Sequence, residues 1–154
     1  MRIGDTVTDF QLPDETGTPR KLSDFLAHGP VVLFFYPAAM TTGCTKESCH
    51  FRDLKAEFDA VGAQRVGISA DSVDKQKQFS DKHGFDYPLL ADTDRAIAER
   101  FDVRRKFVSP VKRSTFVIDT DGTLLDVIHS EVSMNTHADR ALDVLRTRAA
   151  SAPH

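Results

Sequence analysis

The chain has 154 residues, of which 40% are hydrophobic, and it carries a formal net charge of −3. This length fits one domain with a full hydrophobic core. The slightly acidic balance argues against nucleic-acid binding, which normally needs a basic patch or stripe. The longest unbroken apolar stretch, residues 30–40, is far shorter than the ~20 residues that cross a membrane, so neither nucleic acid nor a membrane is an expected partner.

The chain contains two cysteines, Cys44 and Cys49. Two are too few for a disulfide scaffold, and the N-terminal stretch MRIGDTVTDF lacks the apolar region of a secretory signal. We therefore expect a cytoplasmic protein whose thiols are kept reduced. In such a protein a cysteine pair is redox-active or metal-binding more often than structural.

The first half of the chain predicts a short N-terminal hairpin followed by alternating strands and helices. The hairpin is expected over residues 8–12 and 20–22, and a short helix over 23–27. The continuous β-prone run 31–36 has the pattern of a strand buried on both faces. Residues 44–61 are predicted to form one helix, which Gly62 ends.

The second half continues this alternation and closes with a hairpin and a helix. Strands are predicted over 64–69, 87–90, 114–119 and 123–129, and helices over 72–83, 93–101 and 136–148. Alternating β and α units imply a central mixed sheet with helices on both faces. We expect an α/β, thioredoxin-like fold with an N-terminal hairpin extension, as a single domain over 1–154 in which 149–154 form a frayed tail.

The two cysteines fall on different faces of the predicted 44–61 helix. Phe51 and Phe58 recur at helical spacing and define its buried face. Cys44 lies one heptad before Phe51 and shares that face, whereas Cys49 falls nearly opposite. Because free cysteines are usually buried, packing accounts for Cys44 but accounts poorly for Cys49.

Cys44 follows a strand and a tight loop and lies at a helix N-terminus, where a thiolate is stabilised. Such a terminus carries roughly half a positive charge and free N–H groups, and the thiolate is the reactive form of cysteine. Thr41 can place its hydroxyl beside the sulfur, Gly43 permits a sharp turn, and Pro37 ends the strand and shields the site from one side.

An intact helix cannot carry a disulfide between these cysteines. Residues five apart on a helix have Cα atoms roughly 8.5 Å apart, and a disulfide tolerates at most about 7 Å. If the pair is oxidised to a disulfide, the first turn of the helix must therefore unwind.

The run Pro37 to Cys44 matches the P-x-x-x-T-x-x-C pattern of peroxiredoxins, and the continuation CTKESC resembles their Q-type, or bacterioferritin comigratory protein, branch. The resemblance extends over nearly the whole chain, including GDTVTDFQLPDETG, VGIS and RSTFVID. It implies that Cys44 is the peroxidatic cysteine, oxidised by a hydroperoxide to a sulfenic acid. It also implies that Cys49 resolves this acid as an intramolecular disulfide, which thioredoxin or a similar dithiol then reduces.

The resemblance assigns roles to four further residues. Thr41 corresponds to the threonine that hydrogen-bonds thiolate and peroxide, and Pro37 belongs to the same motif. Arg113 corresponds to the arginine that stabilises the thiolate and holds the peroxide oxygens, and Glu47 to the carboxylate that orients it.

The chain departs from the branch at Thr42, where a proline is usual, and at residues 38–40, whose apolar character favours larger apolar hydroperoxides or marks a contact surface.

The cysteine pair is also compatible with functions other than a peroxidase. A non-catalytic redox sensor or partner-binding module can use the same Cys44–Cys49 switch, whereas a general disulfide reductase normally has C-x-x-C spacing. The chain carries no phosphate loop or dinucleotide fingerprint, and Cys44, Cys49 and His50 lack zinc-site spacing, so we expect no cofactor and no metal. The resemblance suggests a monomer, or a weak homodimer through Met40 and Phe107.

Overall fold

The computed structural model describes residues 1–106 and 110–151, and Phe107 lies outside them. The strands are β1 (Gln11–Pro13), β2 (Pro19–Lys21), β3 (Val31–Phe35), β4 (Gln64–Ser69), β5 (Leu89–Ala91), β6 (Ser114–Ile118) and β7 (Leu124–His129). The helices are α1 (Leu22–Leu26), α2 (Thr42–Asp53), α3 (Lys55–Ala60), α4 (Val73–His83), α5 (Ala96–Arg100) and α6 (Met134–Ser151).

Five strands form a mixed sheet in the order β5-β4-β3-β6-β7. β3 pairs in parallel with β4, and β4 with β5, whereas β6 runs antiparallel to both β3 and β7. β1 and β2 make a separate antiparallel hairpin. The predicted mixed sheet and N-terminal hairpin are therefore confirmed.

The central strand β3 contributes to two hydrophobic cores, one on each face of the sheet. Val31, Leu33 and Phe35 lie in one core, and Val32 and Phe34 lie in the other. This alternation follows from the two-residue period of a strand, and it explains why the run is apolar throughout. The second core packs α2 and α6 against the sheet and so fixes the start of α2 at the carboxyl end of β3.

The predicted helix over 44–61 is in fact two helices separated at Leu54. Leu54 leaves the helical region, with φ −93° and ψ 21°. In a continuous helix the carbonyl of Phe51 would accept the N–H four residues later. It accepts instead a hydrogen bond of 2.9 Å from Nη1 of Arg65. The helix break therefore coincides with a hydrogen bond from a residue of another element. The periodicity of residues 44–61 alone did not predict this break.

The closing helix is longer than predicted at both ends. It begins at Met134 and continues to Ser151, so residues 149–151 are helical rather than part of a frayed tail, while 152–154 lie outside the described residues. Within the described part of the chain, no helix is long and apolar enough to cross a membrane.

Candidate active site

Cys44 lies in the first turn of α2, at the carboxyl end of β3. The helix begins at Thr42, two residues before the predicted start, with Thr41 as its extended N-cap residue. Cys44 is 1% exposed and its thiol is free. Cys44 therefore belongs to the first turn of a helix, whose free N–H groups stabilise a negative charge.

Arg113 reaches this sulfur from the other half of the chain. It immediately precedes β6, whose first residue, Ser114, is paired with Phe35 at the end of β3. Its Nη2 lies 3.2 Å from Sγ of Cys44, and its Nη1 donates to Oε1 of Glu47 at 2.8 Å. The sheet register thus brings together the three residues for which the sequence predicted a shared role.

Glu47 is a buried acid that binds the same guanidinium as the thiol of Cys44. Its side chain is 0% exposed, and its Oε2 has no hydrogen-bond partner among the described residues. Burial raises the pKa of Glu47 to about 8, although the neighbouring Arg113 opposes this rise. Two features of the geometry favour the raised pKa of Glu47: one of its oxygens lacks a donor among the described residues, and the guanidinium is divided between two acidic groups.

His137 completes the network behind Glu47, and the sequence did not single it out. Its Nε2 lies 2.8 Å from the carbonyl oxygen of Ser130 and 3.6 Å from Oε2 of Glu47, and its Nδ1 lies 2.8 Å from Oγ1 of Thr115. A carbonyl only accepts, so Nε2 carries a hydrogen. Burial lowers the pKa of His137 and favours the neutral ring. The sequence did contain a signal that His137 is buried, because it lies one helical turn before Ala141 on the apolar side of α6.

Glu131 was also missed, and it fixes the backbone of Arg113. Its Oε1 accepts the Arg113 backbone N–H at 3.0 Å and Nη2 of Arg105 at 3.0 Å. An exposed glutamate in a loop gives no sequence signal for such a role. Of the basic cluster between residues 104 and 113, only Arg113 is buried among the described members.

The remaining motif residues line the segment between β3 and α2. Pro37 is half-buried at the end of the strand, and Thr42 is exposed as the first residue of α2. The hydroxyl of Thr41 donates to the carbonyl of Ala38 at 2.7 Å. Its hydrogen is thus engaged within the loop, which leaves its oxygen as an acceptor for an incoming O–H group.

Cys49 lies on the same uninterrupted helix as Cys44, and its thiol is free and half-buried. Burial raises the pKa of Cys49, so this thiol is held mainly in its protonated form. The two residues differ in exposure as the helical spacing predicted. Because both lie within one helix, the separation of roughly 8.5 Å expected from helix geometry applies, and a disulfide requires unwinding.

The family model described as AhpC/TSA matches residues 3–127. The chain belongs to the AhpC/TSA family. A putative peroxiredoxin of Mycobacterium tuberculosis is 62% identical over 149 residues, which cover 95% of this chain and 97% of the relative. Peroxiredoxin Bcp of Bacillus subtilis is 37% identical over 152 residues, covering 95% and 96%.

Solved structures agree with this family. The crystal structure of peroxidoxin BcpB from Mycobacterium tuberculosis matches with a TM-score of 0.92 and 62% identity, covering 96% of this chain and 97% of that one. A bacterioferritin comigratory protein of Xanthomonas campestris, studied for alkyl peroxide reduction, matches with a TM-score of 0.83 and 36% identity, covering 91% and 92%. The predicted thioredoxin-like fold and Q-type resemblance are confirmed, and the enzyme is a thiol-dependent peroxidase.

Proposed function

We propose that Cys44 reduces hydroperoxides by direct attack on the O–O bond. The thiolate sulfur bonds to the terminal hydroxyl oxygen of ROOH, the O–O bond breaks, and RO⁻ leaves and takes a proton to become ROH. Cys44 is thereby oxidised to a sulfenic acid. The observation that carries this proposal is the 3.2 Å contact between Sγ of Cys44 and the buried guanidinium of Arg113.

The neighbouring groups have distinct roles in this step. Arg113 stabilises the thiolate and the negative charge that develops on the leaving oxygen, and Glu47 holds the guanidinium in place through its 2.8 Å hydrogen bond. The oxygen of Thr41 accepts the O–H of the hydroperoxide. Pro37 fixes the end of β3 and shields one side of the sulfur.

Cys49 is proposed to resolve the sulfenic acid. Its sulfur attacks Sγ of Cys44, the S–O bond breaks, and water leaves as the disulfide forms. Because the intact helix separates the two residues too far, the first turns of α2 unwind before this step. An exposed helix start without a side-chain cap favours such local opening, since frayed ends are the least costly part of a helix to open.

An external dithiol, for which thioredoxin is the proposed candidate, completes the cycle. It transfers two electrons by thiol–disulfide exchange and returns both cysteines to thiols. The apolar residues 38–40 support alkyl hydroperoxides as substrates alongside hydrogen peroxide. An intramolecular resolving cysteine supports a monomer, and a reducing compartment such as the cytoplasm suits two unpaired thiols.

The reaction of reduced protein with one equivalent of hydrogen peroxide tests this function. Competition kinetics against a peroxidase of known rate gives the rate, since the chain has no tryptophan to report it by fluorescence, and intact-mass analysis identifies the product. The wild type should lose about 2 Da as the disulfide forms, whereas Cys49→Ser should gain about 16 Da as sulfenic acid. Cys44→Ser should not consume peroxide.

Three results would contradict the proposal. Peroxide consumption near the wild-type rate in Cys44→Ser would mean that another group is the nucleophile. Continued turnover of Cys49→Ser with thioredoxin alone would remove the resolving role from Cys49. A wild type that oxidises once and is not recycled by thioredoxin or another dithiol would instead be the redox sensor that the sequence left open.

A further inference from the structure

The loop between β3 and α2 contains an unfavourable backbone conformation. Met40 has φ +69°, a left-handed value that residues other than glycine seldom adopt because their Cβ atom crowds the carbonyl oxygen. Its side chain is 40% exposed, so packing of that side chain does little to fix it. Such a conformation persists only where neighbouring contacts determine the path of the chain.

The contact that determines this path comes from Asp71, just after β4. Its Oδ2 accepts the backbone N–H of Ala39 at 2.7 Å and the hydroxyl of Ser69 at 2.7 Å. Nζ of Lys75 lies 3.7 Å from the other carboxylate oxygen, and the Asp71 side chain is only 11% exposed. Ser69 and Lys75 therefore orient the carboxylate that binds Ala39, the residue directly preceding Met40.

The side chain of Asp71 does not cap the helix that follows it. The N-cap of α4 is Ser72, whose hydroxyl accepts the N–H of Lys75 at 3.2 Å. The carboxylate of Asp71 is thus available to the loop between β3 and α2. β3 and β4 are adjacent parallel strands, so the segments that follow them meet at the same edge of the sheet.

We propose that Asp71 is a positioning residue for the peroxidase reaction, which clamps Ala39 and thereby holds Thr41 and the first turn of α2 against Arg113. This inference rests on the roles of Cys44 and Arg113 in the proposed function. Without the clamp, Met40 relaxes to a negative φ and changes the direction in which the chain enters α2. The 3.2 Å contact between Cys44 and Arg113 then lengthens.

Kinetics of the isolated peroxide step provide the first test. Asp71→Ala should slow sulfenic acid formation roughly ten- to a hundredfold, since a misplacement of about 1 Å can cost ~100-fold in rate. Asp71→Asn keeps an acceptor for Ala39 and should stay within about threefold of the wild type. Asp74→Ala, which removes an exposed carboxylate from the first turn of α4, is the matched control and should react normally.

Two kinetic results would overturn the clamp. One is an Asp71→Ala variant that reacts within about twofold of the wild type. A displaced site would lower the rate up to about a hundredfold, so a near-normal rate would mean that the site stays in place without Asp71. The other is an Asp71→Asn variant as slow as Asp71→Ala, which would make the negative charge, rather than the hydrogen-bond acceptor, the determinant. Circular dichroism and thermal melting of each variant confirm that folded protein is compared.

Amide hydrogen exchange gives a second test that does not depend on peroxide. Peptides covering residues 37–41 should exchange at least about tenfold faster in Asp71→Ala than in the wild type or Asp71→Asn. Equal protection in all three proteins would overturn the clamp. If the wild type itself fails to consume peroxide, the proposed function fails, and the exchange data still decide whether Asp71 holds the loop.

Discussion

The guanidinium of Arg113 binds two acidic groups at once, and this defines the site at the scale of single residues. One terminal nitrogen contacts Sγ of Cys44 and the other contacts Glu47. A planar fork with fixed donor directions can serve both, whereas an ammonium is a single charge on a flexible chain. The reactivity of Cys44 should therefore depend on the shape of the cation as well as on its charge.

Arg113→Lys tests this dependence. Lysine keeps the charge but loses the fork, so we expect the peroxide step to slow roughly a hundredfold, as when one oxyanion donor is removed. Arg104→Lys is the matched control, because Arg104 is exposed and pairs at 3.3 Å with the exposed carboxylate of Glu99. The rate is measured by stopped flow with excess hydrogen peroxide, and a rate within about threefold of the wild type in Arg113→Lys would show that charge alone suffices.

At the scale of elements, helix α2 is tied to neighbouring strands and loops along its second half, whereas its exposed N-terminus has no side-chain cap. The hydroxyl of Tyr87 donates to the carbonyl of Ser48 at 2.7 Å, and Arg65 donates to that of Phe51. The ring of Phe51 also stacks on Phe34, with centroids 4.1 Å apart. The first turn has no side-chain cap. Unwinding that begins at Thr42 must therefore break the contacts of Cys44 and Glu47 with Arg113 before it meets the restraint at Ser48, beside Cys49.

Tyr87→Phe should accelerate disulfide formation. The substitution removes one hydrogen bond from the helix, worth about 0.5–1.5 kcal/mol, so the resolving step should become roughly two- to tenfold faster while the peroxide step is unchanged. Single-turnover kinetics separate the two steps. Tyr36→Phe is the control, because that hydroxyl bonds Gln76 at 2.5 Å instead of α2. An unchanged or slower resolving step in Tyr87→Phe would show that the helix opens without breaking this bond.

At the scale of the whole molecule, two buried titratable groups give stability opposite pH dependences. Burial raises the pKa of Glu47 from 4.5 to about 8, so the folded protein binds more protons than the unfolded chain in this window. Stability then falls as pH rises from about 5 to 8. Burial lowers the pKa of His137 below its usual 6.5, so the unfolded chain binds more protons and stability falls as pH drops below that value.

Urea unfolding across pH 5 to 9 checks the Glu47 contribution. The comparison uses the reduced protein, in which Arg113 contacts both Cys44 and Glu47. The stability advantage of Glu47 over a Glu47→Gln variant should shrink by up to about 1.4 kcal/mol per pH unit between 5 and 8. Glu99→Gln, at a side chain 71% exposed, should show no such slope. A constant difference for Glu47→Gln would mean that Arg113 keeps the carboxylate ionised.

Most of the fold could be predicted because its signals are local. A strand such as Gln64–Ser69, predicted and found over the same residues, is encoded by neighbouring side chains that share one backbone period. The motif from Pro37 to Cys44 was likewise readable, since its residues act within one loop and one helix turn. Local patterns did not predict the helix break at Leu54. There the side chain of Arg65, which lies in β4, donates to the carbonyl of Phe51 in α2.

Local patterns in the amino-acid sequence indicate the alternation of strands and helices, the inward face of Cys44 and the motif that the chain shares with peroxiredoxins. Folding alone brings Arg113 to 3.2 Å from the sulfur, the carboxylate of Asp71 to the backbone of Ala39, and Glu131 and His137 to the neighbourhood of Arg113 and Glu47. The physical reason is separation along the chain. Periodicity records what adjacent residues prefer, whereas a hydrogen bond between distant residues exists only after sheet register and helix packing have brought its two atoms together.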